Sequence, residues 1–233
     1  MRSLRASLIV LGILILSCGI PAYAQNGSDG GSKVDLFGGV SFLENQYPSV
    51  ACCGGNYTIK GFHIQGTYNL TKHLGIMADF SRHSSTSDEK STNTSNGNWE
   101  TLHVDQSMRT MAFGPSYSVE AGKMRLSAHT LAGFTTGELT THRVGNYWGG
   151  PFDYLYTYPS NTGMAFVLGG SADYMFKPRW GWRIAQVDYV HSVLQACETG
   201  SQPGNIYTPG TGCDYGVKNL RLSTGLVFRF GGK

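Results

Sequence analysis

An all-β fold, an eight-stranded antiparallel up-and-down barrel, is what this 233-residue sequence predicts. Three observations carry it. Apolar and polar residues alternate with period 2 over eight separate stretches, the pattern of strands with two unlike faces. The connections between these stretches alternate between short and long. The composition has 32 Gly, 13 Tyr and 11 Phe but only 14% charged residues. That mix suits strands and turns, because aromatics favour the pleated sheet and glycine supplies turns and close backbone approach.

The chain opens on MRSLRASLIVLGILILSCGIPAYAQ. Arg2 and Arg5 precede an apolar run from Leu8 to Leu16, and Ala22-Tyr23-Ala24 before Gln25 fits A-x-A cleavage by a signal peptidase. The run is too short, with the wrong flanks, for a spanning helix. Residues 1–24 are therefore read as a signal peptide, 25–33 as a flexible Gly/Ser/Asp-rich lead, and 34–233 as one barrel domain. A competing reading takes Ile15-Leu16-Ser17-Cys18 as a lipoprotein signal with Cys18 lipidated, but Leu16 fits that motif poorly. Without residues 1–24, 16 basic residues face 15 acidic ones over 209 positions. Such a balance offers no basic stripe of the kind a nucleic-acid partner needs.

The strands follow in order. In the first, 34–43, Val34, Leu36, Val40 and Phe42 oppose Asp35, Gly39 and Ser41, with Phe37 the exception. The second, about 57–70, sets Phe62, Ile64 and Tyr68 against His63, Gln65 and Thr67. The third sets Leu74, Ile76, Ala78 and Phe80 against Gly75, Met77, Asp79 and Ser81. The fourth, about 104–119, sets Met111, Phe113, Pro115 and Tyr117 against Thr110, Ala112, Gly114 and Ser116. The fifth, 123–135, sets Met124, Leu126, Ala128, Ala132 and Phe134 against Arg125, Ser127, His129 and Gly133. The sixth, 163–176, sets Phe166, Leu168, Ala172 and Tyr174 against Gly169, Ser171 and Asp173. In the seventh, from Gly181, Arg183 and Asp188 have opposite parity, so either one faces outward or a bulge intervenes. The eighth, KNLRLSTGLVFRFGGK, sets Leu220, Leu222, Leu226, Phe228 and Phe230 against Arg221 and Arg229.

Tight turns are predicted near Thr71-Lys72-His73, Glu120-Ala121-Gly122 and Lys177-Pro178-Arg179, and long loops over about 44–56, 84–103, 136–162 and 193–216. Cys52, Cys53, Cys197 and Cys213 all fall in the long loops. An even count in an exported chain favours disulfides. Cys197 with Cys213 is the candidate pair, since both lie in one loop; Cys52 and Cys53 bond elsewhere or form a vicinal bridge. No C-x-x-C or zinc spacing is present, so no metal site and no cofactor are predicted.

The remaining question is which face is inside. A soluble sandwich or soluble barrel buries the apolar face, whereas a membrane barrel turns it to lipid and fills its lumen with the polar set. Loop asymmetry, strands of about 10 residues or more, and aromatics near strand ends (Phe42, Tyr68, Phe80, Tyr117, Phe134, Tyr174, Phe230) all favour the membrane barrel. The polar face then carries a lumen charge network of Asp35, Asp79, Arg125, Asp173, Arg221 and Arg229, because buried charges need partners. Asp35 and Arg229 are expected to pair where the first and last strands close the barrel. Pro115 must sit at a bulge or near a rim, because a closed barrel has no free edge.

With the signal peptide, YNLTKHLGI (68–76), FGPSY (113–117), RIAQVDY (183–189) and a last strand ending LVFRF (226–230), the chain resembles the small OmpA-like outer-membrane β-barrel proteins of Gram-negative bacteria. The resemblance covers the whole chain after the signal. It implies an eight-stranded transmembrane β-barrel with short periplasmic turns and long extracellular loops, in the outer membrane. It also implies insertion by the barrel-assembly machinery, which reads the last strand. Lys233 is the final residue rather than Phe, so the assembly signal would be internal, at Phe228 and Phe230. No peptidoglycan-binding domain follows the last strand, so cell-wall anchoring is not implied.

The expected function is structural or surface-interacting, non-catalytic, without a wide pore, because eight strands leave an interior just filled by side chains. Partners are outer-membrane lipid, the assembly machinery and a surface ligand taken by the long loops. One alternative is a lipid-modifying enzyme, prompted by His83-Ser84-Ser85 with Asp88, Glu89 and Glu100, and by His191-Ser192. A narrow porin is another. The loop SSTSDEKSTNTSNGN reads as solvated disorder. His63 and His129 read as interior histidines bonded to a neighbouring Asp or Tyr. The aromatic stretch with Tyr147, Trp148, Phe152, Tyr154, Tyr156 and Tyr158 is a candidate ligand patch for sugars or a protein surface. Its period 2 also fits strands that continue above the membrane.

Overall fold

The structure, a computed structural model, describes residues 32–46, 57–93, 97–147, 150–195, 201–202, 205–206 and 214–231. Among the described residues ten strands are formed: β1 (Val34–Gln46), β2 (Tyr57–Asn69), β3 (Leu74–Asn93), β4 (Asn98–Ala121), β5 (Met124–Tyr147), β6 (Gly150–Met175), β7 (Trp180–Gln195), β8 (Ser201–Gln202), β9 (Asn205–Ile206) and β10 (Asp214–Phe230). Eight close into an antiparallel barrel in the order β1-β10-β7-β6-β5-β4-β3-β2, while β8 and β9 pair separately. Closure leaves no free edge to be satisfied in lipid.

The apolar face is outside. Leu36, Ile64, Ile76, Phe113, Leu126, Leu168, Val187 and Leu222 are exposed, and among the described residues 24 polar or charged side chains are buried against 12 apolar ones. A soluble barrel would reverse that ratio. The tight turns fall at 70–73, 122–123 and 176–179. Gly122 takes φ 62° in one of them, a conformation glycine adopts without a Cβ penalty.

Two of the expected long loops are strands. The run SSTSDEKSTNTSNGN does not read as disorder: β3 continues to Asn93 and β4 resumes at Asn98. Likewise β5 runs to Tyr147 and β6 starts at Gly150, across most of the expected 136–162 loop. β1 and β2 have 13 residues each, but β3 to β6 have 20, 24, 24 and 26, and a tilted bilayer crossing takes about 9–11. The surplus of four neighbouring strands therefore stands above the apolar band as one sheet. Composition alone missed it because Ser, Thr and Asp read as loop, whereas cross-strand partners make them a ladder.

The parity conflict in β7 is resolved by a bulge. Arg183 and Asp188 are both buried, while Ile184 and Ala185 are exposed in succession. Asp173 pairs with Arg183 and Ala172 with Ala185, so Ile184 is the extra residue. Pro115 needs no bulge: it faces Ile76, two positions from Leu74 at the start of β3, and the β4–β5 register is the same on either side of it. It lies near the turn-end rim, as a residue without an N–H to donate must.

Candidate functional site

Two places concentrate chemistry: the lumen and the sheet that projects from it. The lumen is filled in levels. Nearest the tight turns, Asp35 accepts hydrogen bonds from Arg125, from Asn69 Nδ2 at 2.8 Å and from Ser32 Oγ at 2.5 Å. Arg229 stands opposite Asp35 in register, but its Nε lies 3.7 Å from the carboxylate; its Nη1 meets Glu120 at 2.9 Å. Asp35 thus pairs with Arg229 at the seam, as expected, and more closely with Arg125 across the lumen. Above this, Arg183 donates to Asp173 at 2.6 and 3.1 Å and to Gln65 and Gln186, with its guanidinium 4.3 Å over the Phe37 ring.

At the centre is Arg221, with no exposed surface. It grips Asp79 through Nη1 and Nη2 at 3.0 and 2.8 Å, and donates through Nε to Asp188 at 2.8 Å and through Nη1 to Ser81 at 2.8 Å. His63 Nε2 lies 2.6 Å from Asp79, and His129 Nε2 lies 3.0 Å from Asp188. Gly169 makes room for this group, since a Cβ there would stand 2.0 Å from Asp188 Oδ1 and 2.9 Å from His129 Nε2. Toward the outer strand ends Leu43, Ile59 and Met108 form an apolar cluster. Of these residues, sequence reasoning singled out Asp35, Asp79, Arg125, Asp173, Arg221 and Arg229. It left open whether Arg183 and Asp188 are both lumen groups, because without the bulge their parities conflict.

Two chemistries suggest themselves here and neither is supported. His63, Asp79 and Asp188 bring ligand atoms within 4.8 Å of one another. However, the guanidinium of Arg221 already bonds both carboxylates, so a divalent ion would have to displace a cation fixed in the chain. Ser223 Oγ lies 2.9 Å from His63 Nδ1, which with Asp79 gives a Ser-His-Asp array. Yet Ser223 donates its proton to Ser41 Oγ at 3.0 Å, and the whole array is buried. A nucleophile needs its proton taken by the base and a substrate within reach. The sequence fragments do not assemble either. His83 turns into the lumen onto Ser41 at 2.9 Å, Asp88 belongs to the opposite face, and Glu100 accepts from Arg143 Nε at 2.6 Å. His191 and Ser192 sit on opposite faces of β7, with Ser192 donating to Thr135 at 3.1 Å.

The projecting sheet carries two unlike faces. On the side that continues the lumen, Phe152 and Tyr154 stack with ring centroids 5.4 Å apart, beside the Arg143–Glu100 pair. Phe152 faces Gly145 across the strands, where an added Cβ would approach its ring to 2.6 Å. Tyr156 and Tyr158 follow on the same strand, opposite Thr141 and Leu139. Trp148, the side chains of Tyr147, Tyr156 and Tyr158, and Cys52, Cys53, Cys197 and Cys213 lie outside the described residues. On the other side, His103 and His142 are directly opposite. His103 meets Asp88 through Nδ1 and Asp105 through Nε2 at 3.2 Å; His142 meets Asp153 at 2.7 Å. The hydrogen bond that His103 donates to Asp88 raises its imidazole pKa from the usual value. The local sequence gives little sign of this group, because His103 lies 15 residues from Asp88 and His142 lies 11 from Asp153.

Apolar outside, charged and filled inside, with short turns at one end and a tall sheet at the other, the molecule is a transmembrane β-barrel of the outer-membrane class. The chain belongs to the outer membrane protein beta-barrel domain family, whose model matches residues 10–230. It is located in the outer membrane. Among solved structures it is similar to Ail, the attachment invasion locus protein of Yersinia pestis, in complex with the heparin analogue sucrose octasulfate, at 15% identity and TM-score 0.48, covering 87% of this chain and 99% of that one. The outer membrane protein OprG from Pseudomonas aeruginosa is similar at 11% identity and TM-score 0.47, covering 88% and 98%. The outer membrane protease OmpT from Escherichia coli is similar at 11% identity and TM-score 0.40, covering 84% and 96%. Comparison with curated protein sequences finds no match.

Proposed function

We propose that this protein is a non-catalytic surface-interaction protein: a sealed barrel that anchors a projecting sheet, whose lumen-side aromatic face takes an extracellular ligand. The observation that carries the reading is the extension of β3 to β6 beyond the apolar band, with Phe152 stacked on Tyr154 next to Arg143 and Glu100. Aromatic faces beside a charged pair suit the faces and hydroxyls of sugars, or a protein surface. The buried Arg221 network supports the absence of a wide pore, since it spans the lumen from β3 to β7 and β10. The signal peptide to Ala24, a Cys197–Cys213 disulfide and an assembly signal at Phe228 and Phe230 complete the proposal.

The test is binding of the detergent-purified protein to a glycan array and to extracellular proteins, with F152A/Y154A beside it. Loss of about tenfold in affinity, the worth of one stacked aromatic pair, supports the reading. Unchanged binding by a variant that keeps its heat-modifiable gel migration overturns it. Stepwise conductance of the wild type in planar bilayers would favour the narrow porin. Altered lipid A mass spectra with and without the gene would favour the enzyme.

A further inference from the structure

At the loop end of the barrel the outward face changes character within one strand step. Phe62 on β2, Phe80 on β3 and Met111 on β4 face outward, and the next outward positions on the same strands are Lys60, Arg82 and Arg109. All three are exposed, and each is flanked by buried neighbours: Ile59 beside Lys60, Ser81 and His83 beside Arg82, Met108 and Thr110 beside Arg109. Arg82 and Arg109 are direct cross-strand partners. Arg82 also faces Phe62, which puts Lys60 one diagonal step away. Ser84 stands opposite both Lys60 and Ser107, and completes the group with a hydroxyl.

Like charges directly opposite on a sheet destabilise it, so the arrangement works against the fold unless an anion joins it. The protein supplies little. Arg109 approaches Glu138 at 3.6 Å, and among the described residues no carboxylate pairs with Lys60 or Arg82. On the far side of the barrel, at the corresponding step above Leu220 and Tyr189, Lys218 faces His191 and Gln46, with no second Lys or Arg opposite it. The cations are therefore concentrated on one side.

We propose that Lys60, Arg82 and Arg109 form a binding site for the phosphate of a phosphorylated outer-leaflet glycolipid. The height is right, because the site begins where the apolar band ends and long basic side chains reach from there to the headgroup level. The chemistry is right, because two planar guanidinium forks and an ammonium match a phosphate's oxygens. The ground beneath is right as well. Phe62 and Phe80, with ring centroids 5.8 Å apart, and Met111 offer the acyl chains of the same molecule an apolar wall. A soluble polyanion would meet that wall without a use for it. The site rests on the outer-membrane location and is independent of the aromatic face.

The experiment places the full-length mature protein in phosphatidylcholine nanodiscs with a trace of phosphorylated glycolipid or of the same glycolipid dephosphorylated. Native mass spectrometry then reads the lipid that stays bound. The wild type should retain the phosphorylated form about tenfold better, the equivalent of one charge-assisted hydrogen bond. R82Q/R109Q should lose that preference, K60Q should reduce it, and K218Q should keep it. Equal retention of the two lipids by the wild type, or an undiminished preference in folded R82Q/R109Q, would overturn the site. Because the wild-type comparison decides by itself, a double variant that fails to fold leaves the test intact.

Discussion

In the lumen, Arg221 meets Asp79 and Asp188 with all three side chains at 0% exposure; on the projecting sheet, His142 meets Asp153 at 41% and 71%. Both regions join basic side chains to carboxylates across strands, yet the joints are made differently. Each lumen carboxylate collects several donors: Asp79 takes Arg221, His63 and Gln65, and Asp188 takes Arg221, His129 and Gln186. Away from water a charge is tolerable only when nearly every lone pair is answered. The sheet carboxylates collect fewer donors, Asp88 taking His103 and Asp153 taking His142, because water answers whatever is left over. The lumen network should therefore behave as a unit whose members are costly to remove, and the sheet as a surface whose pairs can be edited one at a time.

The largest effect should come from the centre of the lumen. R221M leaves Asp79 and Asp188 buried without their cation, and should cost about 3–5 kcal/mol in urea unfolding from lipid vesicles. D79N/D188N/R221M, which removes all three charges, should recover part of that loss; no recovery would show that shape rather than charge balance holds the lumen. G169A comes next. Its Cβ meets Asp188 and His129, and the forced shift should cost about 1–3 kcal/mol by the same assay. On the sheet, E100Q should weaken the joint to Arg143 by only about 1 kcal/mol. Resistance of the projecting strands to limited proteolysis is the readout, and global unfolding should be unchanged.

The smallest effect is the pH response of His103. Its pKa is raised by the hydrogen bond it donates to Asp88, with Asp105 adding to it. A group protonated more readily in the folded sheet stabilises it fully below the ordinary histidine pKa, and that support fades as pH rises through the folded value. Proteolysis of the β3–β4 hairpin, referenced to H103Q at each pH, should therefore be slower in the wild type at pH 5.5 and equal at pH 9 (values chosen as roughly one side and the other of the imidazole range). An advantage that grows with pH would break the assignment.

The barrel itself was readable residue by residue. Leu220, Leu222 and Leu226 alternate with Asn219, Arg221 and Gly225, and the structure puts the first set in lipid and the second inside. The lumen partners were only half readable. Asp79 and Arg221 could be assigned to the same interior, but their 142-residue separation gives no local sign that they touch. The β7 bulge hid the joint membership of Arg183 and Asp188, since one extra residue reverses the parity on which face assignment depends. The projecting sheet was half readable: the period 2 of Tyr154, Tyr156 and Tyr158 pointed to strands above the membrane, but β3 beyond Phe80 is rich in Ser and Thr, which form strand only when neighbours supply cross-strand partners.

By itself, the sequence determined the class of fold and the side on which lipid lies. Period 2 is a local property, and the contrast between the two faces survives any choice of register. Tertiary structure decided the pairings. Closure of β1 onto β10 set Asp35 against Arg229 while Arg125 reached Asp35 from across the lumen. Register carried four strands past the apolar band and set Arg82 beside Arg109 at its edge. Those outcomes depend on strand stagger and on what stands across a gap, and neither is encoded in any one stretch of chain.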